Sequence, residues 1–348
     1  MYEYKKVYDY RDKKTAERME AARFADAKEF YDKYKDSFVT VPCPVCGDER
    51  YDNVEKFLGI YEVARCKKCS TLYVTPRPTE DLLAIFYNTS QTMTQLSDFY
   101  KKTEGQTERK KVIDDRVELC LKYIKSSNKT RLKILDVGCS VGSFLKSLEL
   151  GLENAGLGEK AELHGLDVDK NVIEIAKREG GNIQYHLTSV EDFSRNSPEK
   201  FDLIISWYVI EHLFDPRAFL RSAASLLSDN GVLIFTTNNC AGLDHEALGY
   251  NAPKRIFAHG IWPPFHLNGF SADSMKLFAF RAGMDFVEMG SFGQFDLDLL
   301  SACASSLREG VFLQLNDVDE KSKGIFQAVI RRLNMSGDMF CVFQKPNV

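Results

Sequence analysis

Over the second half of the chain, short apolar runs alternate with amphipathic stretches. The segments LKILDVG, ELHGLDVD, NIQYHL, FDLIISW and GVLIFTT are strand-length runs, separated mostly by helical patterns such as NVIEIAKREG and PRAFLRSAASLL. Strand alternating with helix predicts a parallel sheet covered on both faces. A helix at SADSMKLFAFRAGM, a strand at DFVEMGSF, a helix around GIFQAVIRRL and a last strand at MFCVFQK extend it. Upstream, Phe24, Ala27, Tyr31 and Tyr34 recur at spacings of three and four, predicting an amphipathic lead-in helix within residues 1–40. Residues 41–80 change character to cysteine pairs around β-formers, closed by Pro76 and Pro78. Residues 81–127 return to helix, with Ile113, Val117, Cys120, Leu121 and Ile124 on one stripe, before the polar break SSNKT opens an α/β domain over residues 128–348.

Composition narrows the class. The chain has 348 residues, 44% hydrophobic and 28% charged, as in folded globular proteins, and its formal charge of -4 argues against wrapping nucleic acid through a bulk positive field. No apolar leader opens the sequence and no run reaches membrane-helix length, so a cytoplasmic location without membrane insertion is expected. Four of the nine cysteines cluster, and the others are scattered through apolar segments. This pattern suggests metal binding in a reducing compartment.

Cys43 and Cys46, then after 19 intervening residues Cys66 and Cys69, have the spacing of a zinc ribbon, each pair on a tight turn. Four thiolates fill a tetrahedral zinc sphere and leave no position for water, so the expected zinc is structural. Acidic and basic residues cancel across residues 41–80, so this unit lacks the basic footprint of a nucleic-acid module.

The run Asp136-Val137-Gly138-Cys139-Ser140-Val141-Gly142 places a small-residue turn between the first strand and a helix, where backbone N–H groups meet a ligand. Asp136 at the strand end would repel a pyrophosphate and suits a cation. S-adenosylmethionine, with its sulfonium and ammonium, fits. Asp167, at the end of the next strand, stands where ribose hydroxyls are held.

The run DVGCSVG, the acid in GLDVD, FDLIISWYVIEHLFDP and GVLIFTT resemble the successive motifs of class I S-adenosylmethionine-dependent methyltransferases, over roughly residues 110–348. With CPVCG, RCKKC and TPRP upstream and PPFHLNGFS and GQFDLD downstream, the whole chain resembles bacterial methyltransferases with an N-terminal zinc-binding unit, of the sugar and cell-surface polysaccharide type. The resemblance implies a Rossmann-like, mostly parallel seven-stranded sheet. It implies that Asp136, Gly138 and Gly142 line the methionine end of the donor, with Ser140 replacing the family's usual glycine. It further implies that Asp167 holds the ribose, Ser189 and Val190 bracket adenine, and Trp207 and Tyr208 stand near the methyl donor, Tyr208 on the acceptor side.

An alcohol acceptor has a proton to lose, and histidine suits its removal. His212, in IEHL, and His266, in PPFHLN, stand where the family's cleft opens. His266 is the preferred base, inside an acceptor-covering insertion at about 238–270, and Asn268 beside it is expected to bind a sugar hydroxyl. The expected reaction is O-methylation of a sugar, nucleotide-sugar or glycan precursor. A sugar C-methyltransferase is the alternative within enzymes, and a zinc-ribbon adaptor or nucleic-acid modifier the alternative outside that reading. The sequence leaves the oligomeric state open.

Overall fold

The computed structural model describes residues 13–92, 95, 106–127, 129–248, 260–293, 296–297, 300 and 318–347, with only the backbone of 13–17 and 106–111. Residues 1–12 of the expected lead-in, 93–94 and 96–105 of the connector and 249–259 of the insertion lie outside the described residues.

Every apolar run of the second half becomes a strand: β4 (Leu132–Val137), β5 (Ala161–Asp167), β6 (Ile183–Leu187), β7 (Phe201–Trp207) and β8 (Leu227–Asn238). Strands β10 (Asp285–Gly290) and β11 (Asp338–Gln344) complete a seven-stranded sheet in the order β10-β11-β8-β7-β4-β5-β6. β11 pairs antiparallel with both neighbours, and the remaining pairs are parallel. The expected Rossmann-like, mostly parallel sheet is therefore present. Chain order reverses between β4 and β7, and the cleft at such a switch point lies beyond the carboxyl ends of the strands.

The N-terminal part forms a second, antiparallel sheet of β1 (Tyr51–Phe57), β2 (Tyr61–Cys66) and β3 (Leu72–Val74), and its fourth strand is β9 (Asn268–Gly269), supplied from the chain between β8 and β10. Leu72 pairs with Gly269 and Tyr73 with Asn268. The cysteine-bearing unit also shares one core with the large sheet, where Cys43, Val45, Cys66 and Tyr73 pack in a cluster with Phe219, Leu220 and Phe270. Helix α1 (Lys13–Tyr34) buries Ala27 and Phe30, and Phe24 lies 5.9 Å from Trp262, ring to ring. Helix α2 (Glu80–Thr89) is capped by Thr79 and buries Leu82, Leu83 and Phe86. Helix α3 (Gln106–Ser126) turns the predicted stripe inward, burying Val117, Cys120 and Ile124.

Glycine is required at two places in the turn between β4 and helix α4 (Ser143–Asn154). Gly138 has φ +81° and a Cβ there would meet Val209 Cγ2 at 2.5 Å; Gly142 has φ +78° and a Cβ would overlap the Tyr185 hydroxyl. Gly142→Ala combines left-handed strain with that overlap, so it should lower stability by about 1–3 kcal/mol. Urea unfolding checks this, and an unchanged midpoint would contradict the close approach.

Candidate active site

The turn after β4 is held from the neighbouring strand. Gly138 and Cys139 N–H groups donate to Leu166 O at 2.8 and 2.9 Å. Ser140, at φ +51°, donates its N–H to Asp167 Oδ2 at 2.9 Å, and Asp169 N–H donates to Oδ1 at 2.9 Å. Asp167 thus shapes the turn while each carboxylate oxygen keeps a second lone pair for another donor.

Asp136 is 1% exposed, and its Oδ1 has no hydrogen-bond partner. Burial, with Asp167 nearby, pushes its pKa up to about 8. Tyr185 Oη, Trp207 Nε1 and Arg116 Nε are likewise buried without a partner. The Arg116 guanidinium lies 4.9 Å from the Trp207 ring and 5.3 Å from the Tyr208 ring, and it pulls against the rise at Asp136. Buried polar groups without a partner are uncommon, and these four suit a polar ligand.

Ser189 spends its hydroxyl on capping helix α5 (Val190–Asn196), accepting from Asp192 N–H, and Val190 is buried behind it. At this edge the chain therefore offers backbone and apolar surface. Tyr208, at φ +55°, donates its hydroxyl to Asp338 Oδ2 at 2.9 Å.

A 3-10 turn, Ile210–His212, follows β7 and carries the second group. Glu211 is 1% exposed and accepts from Thr237 Oγ1 at 3.1 Å; burial pushes its pKa up to about 8. His212 Nδ1 lies 2.9 Å from Phe265 O and 3.0 Å from the Tyr87 hydroxyl. A carbonyl oxygen only accepts, so Nδ1 carries the proton. Burial holds the His212 pKa down at about 4, leaving the imidazole neutral. The His266 ring centroid is 4.8 Å from that of His212 at an interplanar angle of 72°, and Asn238 Nδ2 approaches His266 Nδ1 at 3.4 Å. Ligand atoms of Glu211, His212 and His266 lie within 4.8 Å of one another.

The two predicted histidines are thus adjacent. Asn268 corrects the sequence reading. It is fully buried, its amide nitrogen reaches the carbonyls of Ile210, Glu211 and Leu213 at 3.3, 3.3 and 2.8 Å, and its oxygen accepts from Arg77 at 3.0 Å. No polar atom of its side chain is left for a substrate. Two contributors escaped sequence reasoning: Tyr87, on α2, and Arg116, on α3. The one signal for Arg116 is a cation bordering the apolar stripe at Val117; Tyr87 reads as an ordinary core aromatic.

The four predicted thiols also converge. Sulfur pairs Cys43–Cys69 and Cys46–Cys66 are 3.5 and 3.4 Å apart, and all four sulfurs lie within 4.8 Å of one another. Tetrahedral zinc at a Zn–S distance of about 2.3 Å sets sulfurs about 3.8 Å apart, so the donor set and spacing fit that ion. The hydrogen bond shared by Cys43 and Cys69 lowers the pKa of the Cys69 thiol and raises that of Cys43.

Asp136 and Glu211 both bind their proton more tightly in the folded chain. Their contribution to stability is therefore full below the ordinary carboxylate range and is lost as pH rises through about 8. In the absence of ligand, Asp136→Asn or Glu211→Gln should flatten the fall in stability between pH of about 5 and 8. Urea midpoints across that range check it, and curves parallel to the wild-type curve would contradict the raised pKa values.

The chain is 36% identical over 115 residues to the ubiquinone biosynthesis O-methyltransferase of Actinobacillus pleuropneumoniae serotype 5b (strain L20), covering 31% of this chain and 46% of that protein. It is 34% identical over 129 residues to the protein of the same name from Histophilus somni (strain 2336), covering 34% and 51%. The chain thus spans about half the length of the curated relatives it matches. Among solved structures, a complex of the plantazolicin methyltransferase BpumL with a pentazolic desmethylPZN analog and SAH aligns with a TM-score of 0.48 at 16% identity, over 76% of this chain and 95% of that one. The relatives' names overturn the expected sugar or polysaccharide acceptor: they are O-methyltransferases of ubiquinone biosynthesis, and nothing in them points to a sugar. The family described as a methyltransferase domain matches residues 106–288, more than half of the chain, covering the glycine turn, Asp136, Asp167 and His212. The chain belongs to that family, and its seven-stranded unit is a class I S-adenosylmethionine-dependent methyltransferase domain.

Proposed function

We propose that the chain binds S-adenosylmethionine at the carboxyl ends of β4 and β5 and methylates a hydroxyl of a small, quinone-type ring compound. The observation that carries the donor half is the unpartnered, buried Asp136 Oδ1 beside the glycine turn. A cationic ligand ionises that acid and removes the cost of burying it bare. Arg116, stacked on Trp207 and Tyr208, supplies positive charge for the methionine carboxylate, and Asp167 accepts from the ribose. The acceptor half rests on the relatives' names, brought to this chain as a reading.

When bound, S-adenosylmethionine supplies a methyl group on a sulfonium, open to in-line displacement. The chain has to hold the acceptor oxygen in line and take its proton. His266 is the proton acceptor in this reading. His212, neutral and fixed through Nδ1 by Phe265 O and Tyr87, presents its other edge beside it. Buried Glu211 adds a carboxyl that can share a proton with the pair.

In the same reading Cys43, Cys46, Cys66 and Cys69 hold one structural zinc within a ribbon over residues 41–80. The lead-in and connector helices flank it, and the catalytic domain occupies 128–348. Among the described residues no helix is long and apolar enough to cross a membrane.

Calorimetry with S-adenosylhomocysteine should show one site per chain, and absence of binding would reject the donor site. Labelled methyl should pass to a hydroxylated quinone precursor. His266→Ala should slow transfer by roughly 10²–10⁴ with donor affinity nearly intact. An equal loss of donor affinity would make His266 structural. Metal analysis should give one zinc per chain, lost in a Cys43→Ser, Cys66→Ser double variant.

A further inference from the structure

Arg77 is fully buried, yet every hydrogen-bond partner of its guanidinium is neutral. Nε donates to Val74 O at 2.8 Å, one terminal nitrogen donates to Phe214 O and Asn268 Oδ1 at 3.2 and 3.0 Å, and the other to Leu267 O at 3.3 Å. A buried charge is expensive unless opposite charge lies near. The groups that favour its charged form are Tyr73, whose ring centroid is 6.0 Å away, Cys43 of the thiol cluster and Asp215. Four thiolates around one Zn²⁺ carry about two negative charges, which makes the cluster a strong source of that field.

The same guanidinium ends on the acceptor side. Asn268, which accepts from it, reaches the carbonyls of Ile210, Glu211 and Leu213, on either side of His212. Leu267, whose carbonyl accepts from Arg77 and from Val74 N–H, follows His266 directly and donates its own N–H to Glu211 O at 2.9 Å. The planar fork of arginine reaches both bodies at once, which a lysine ammonium cannot do with fixed geometry.

We infer that Arg77 is a positioning residue: it fixes through Asn268 and Leu267 the backbone that presents Glu211, His212 and His266. Through this residue the cysteine-bearing sheet, whose Val74 carbonyl also accepts from the guanidinium, is tied to the backbone of the two histidines. This inference rests on the assignment of His212 and His266 to the acceptor side. A purely structural Arg77 would change stability and leave the histidine environment and the turnover of the folded fraction alone.

The test compares Arg77→Met, which keeps bulk and removes charge, with Arg77→Lys, in the full zinc-loaded chain. Four quantities are read: zinc content, S-adenosylhomocysteine affinity, the imidazole ¹⁵N–¹H spectrum, and kcat and KM against pH. Arg77→Met should keep its zinc and bind S-adenosylhomocysteine within about twofold, while kcat falls at least roughly tenfold and the protonated Nδ1 signal of His212 shifts or disappears. Arg77→Lys should recover part of both. A wild-type His212 signal and kcat in Arg77→Met, or joint loss of zinc and donor binding in the soluble variant, would overturn the inference. If Arg77→Met is insoluble, Asn268→Asp decides: it keeps an acceptor for Arg77 and deletes the donations to the 210–213 backbone. A shifted His212 signal with zinc retained supports the relay, and an unchanged signal overturns it. Should no hydroxylated ring be methylated, the proposed function fails on that result alone, while the zinc content and the spectra still decide the role of Arg77.

Discussion

A carboxyl group buried at the end of the first strand of the large sheet, with one oxygen facing no donor, is the constraint around which this site is built. Asp136 cannot ionise cheaply where it stands, because burial and neighbouring Asp167 both oppose its charge. A cation delivered to that point relieves the cost. The rest of the donor side follows from making room for such a ligand. Gly138 and Gly142 keep the backbone free of side chains where Val209 and Tyr185 come close, and Asp167 ties the turn through Ser140 N–H. Serine in place of the family's usual glycine at position 140 is accommodated at φ +51° by that tie.

The region proposed for the acceptor is organised differently, by exchange of backbone between two sheets. A two-residue strand from beyond β8 completes the small cysteine-bearing sheet, and the residues just before it carry His266 to His212. The small unit is consequently tied to the backbone that carries the two histidines. Its core is continuous with that of the catalytic sheet, so ordering the thiol cluster and ordering the acceptor loop are parts of one packing problem. This also explains why Tyr87, from the helix after the cysteine unit, ends against His212 and Phe265.

The large sheet was legible because each strand is a compact apolar run and each crossover helix an amphipathic one, so period and order alone determine the layer arrangement. The four-thiol cluster and the glycine turn were legible for a related reason: their chemistry lies within short stretches of sequence. Asn268 was misread because its partners at 77 and 210–213 are brought to it only by the pairing of β3 with β9, and a two-residue strand leaves no periodicity to detect. Arg116 and Tyr87 are distant in sequence from the motifs they serve. The acceptor was misassigned because the resemblance that suggested a sugar rests on the zinc unit and loop motifs, whereas the curated relatives, which match only about a third of the chain, are named for ubiquinone biosynthesis.

Asp136 should carry a proton in the free chain near neutral pH and lose it when a cationic donor arrives. The most direct measurement is therefore calorimetry of S-adenosylmethionine binding at pH of about 6.5 in buffers of differing ionisation enthalpy, which counts protons exchanged on binding. The account predicts release of about one proton by the wild-type chain and none by Asp136→Asn. Binding without proton release, or equal release by both proteins, would contradict it.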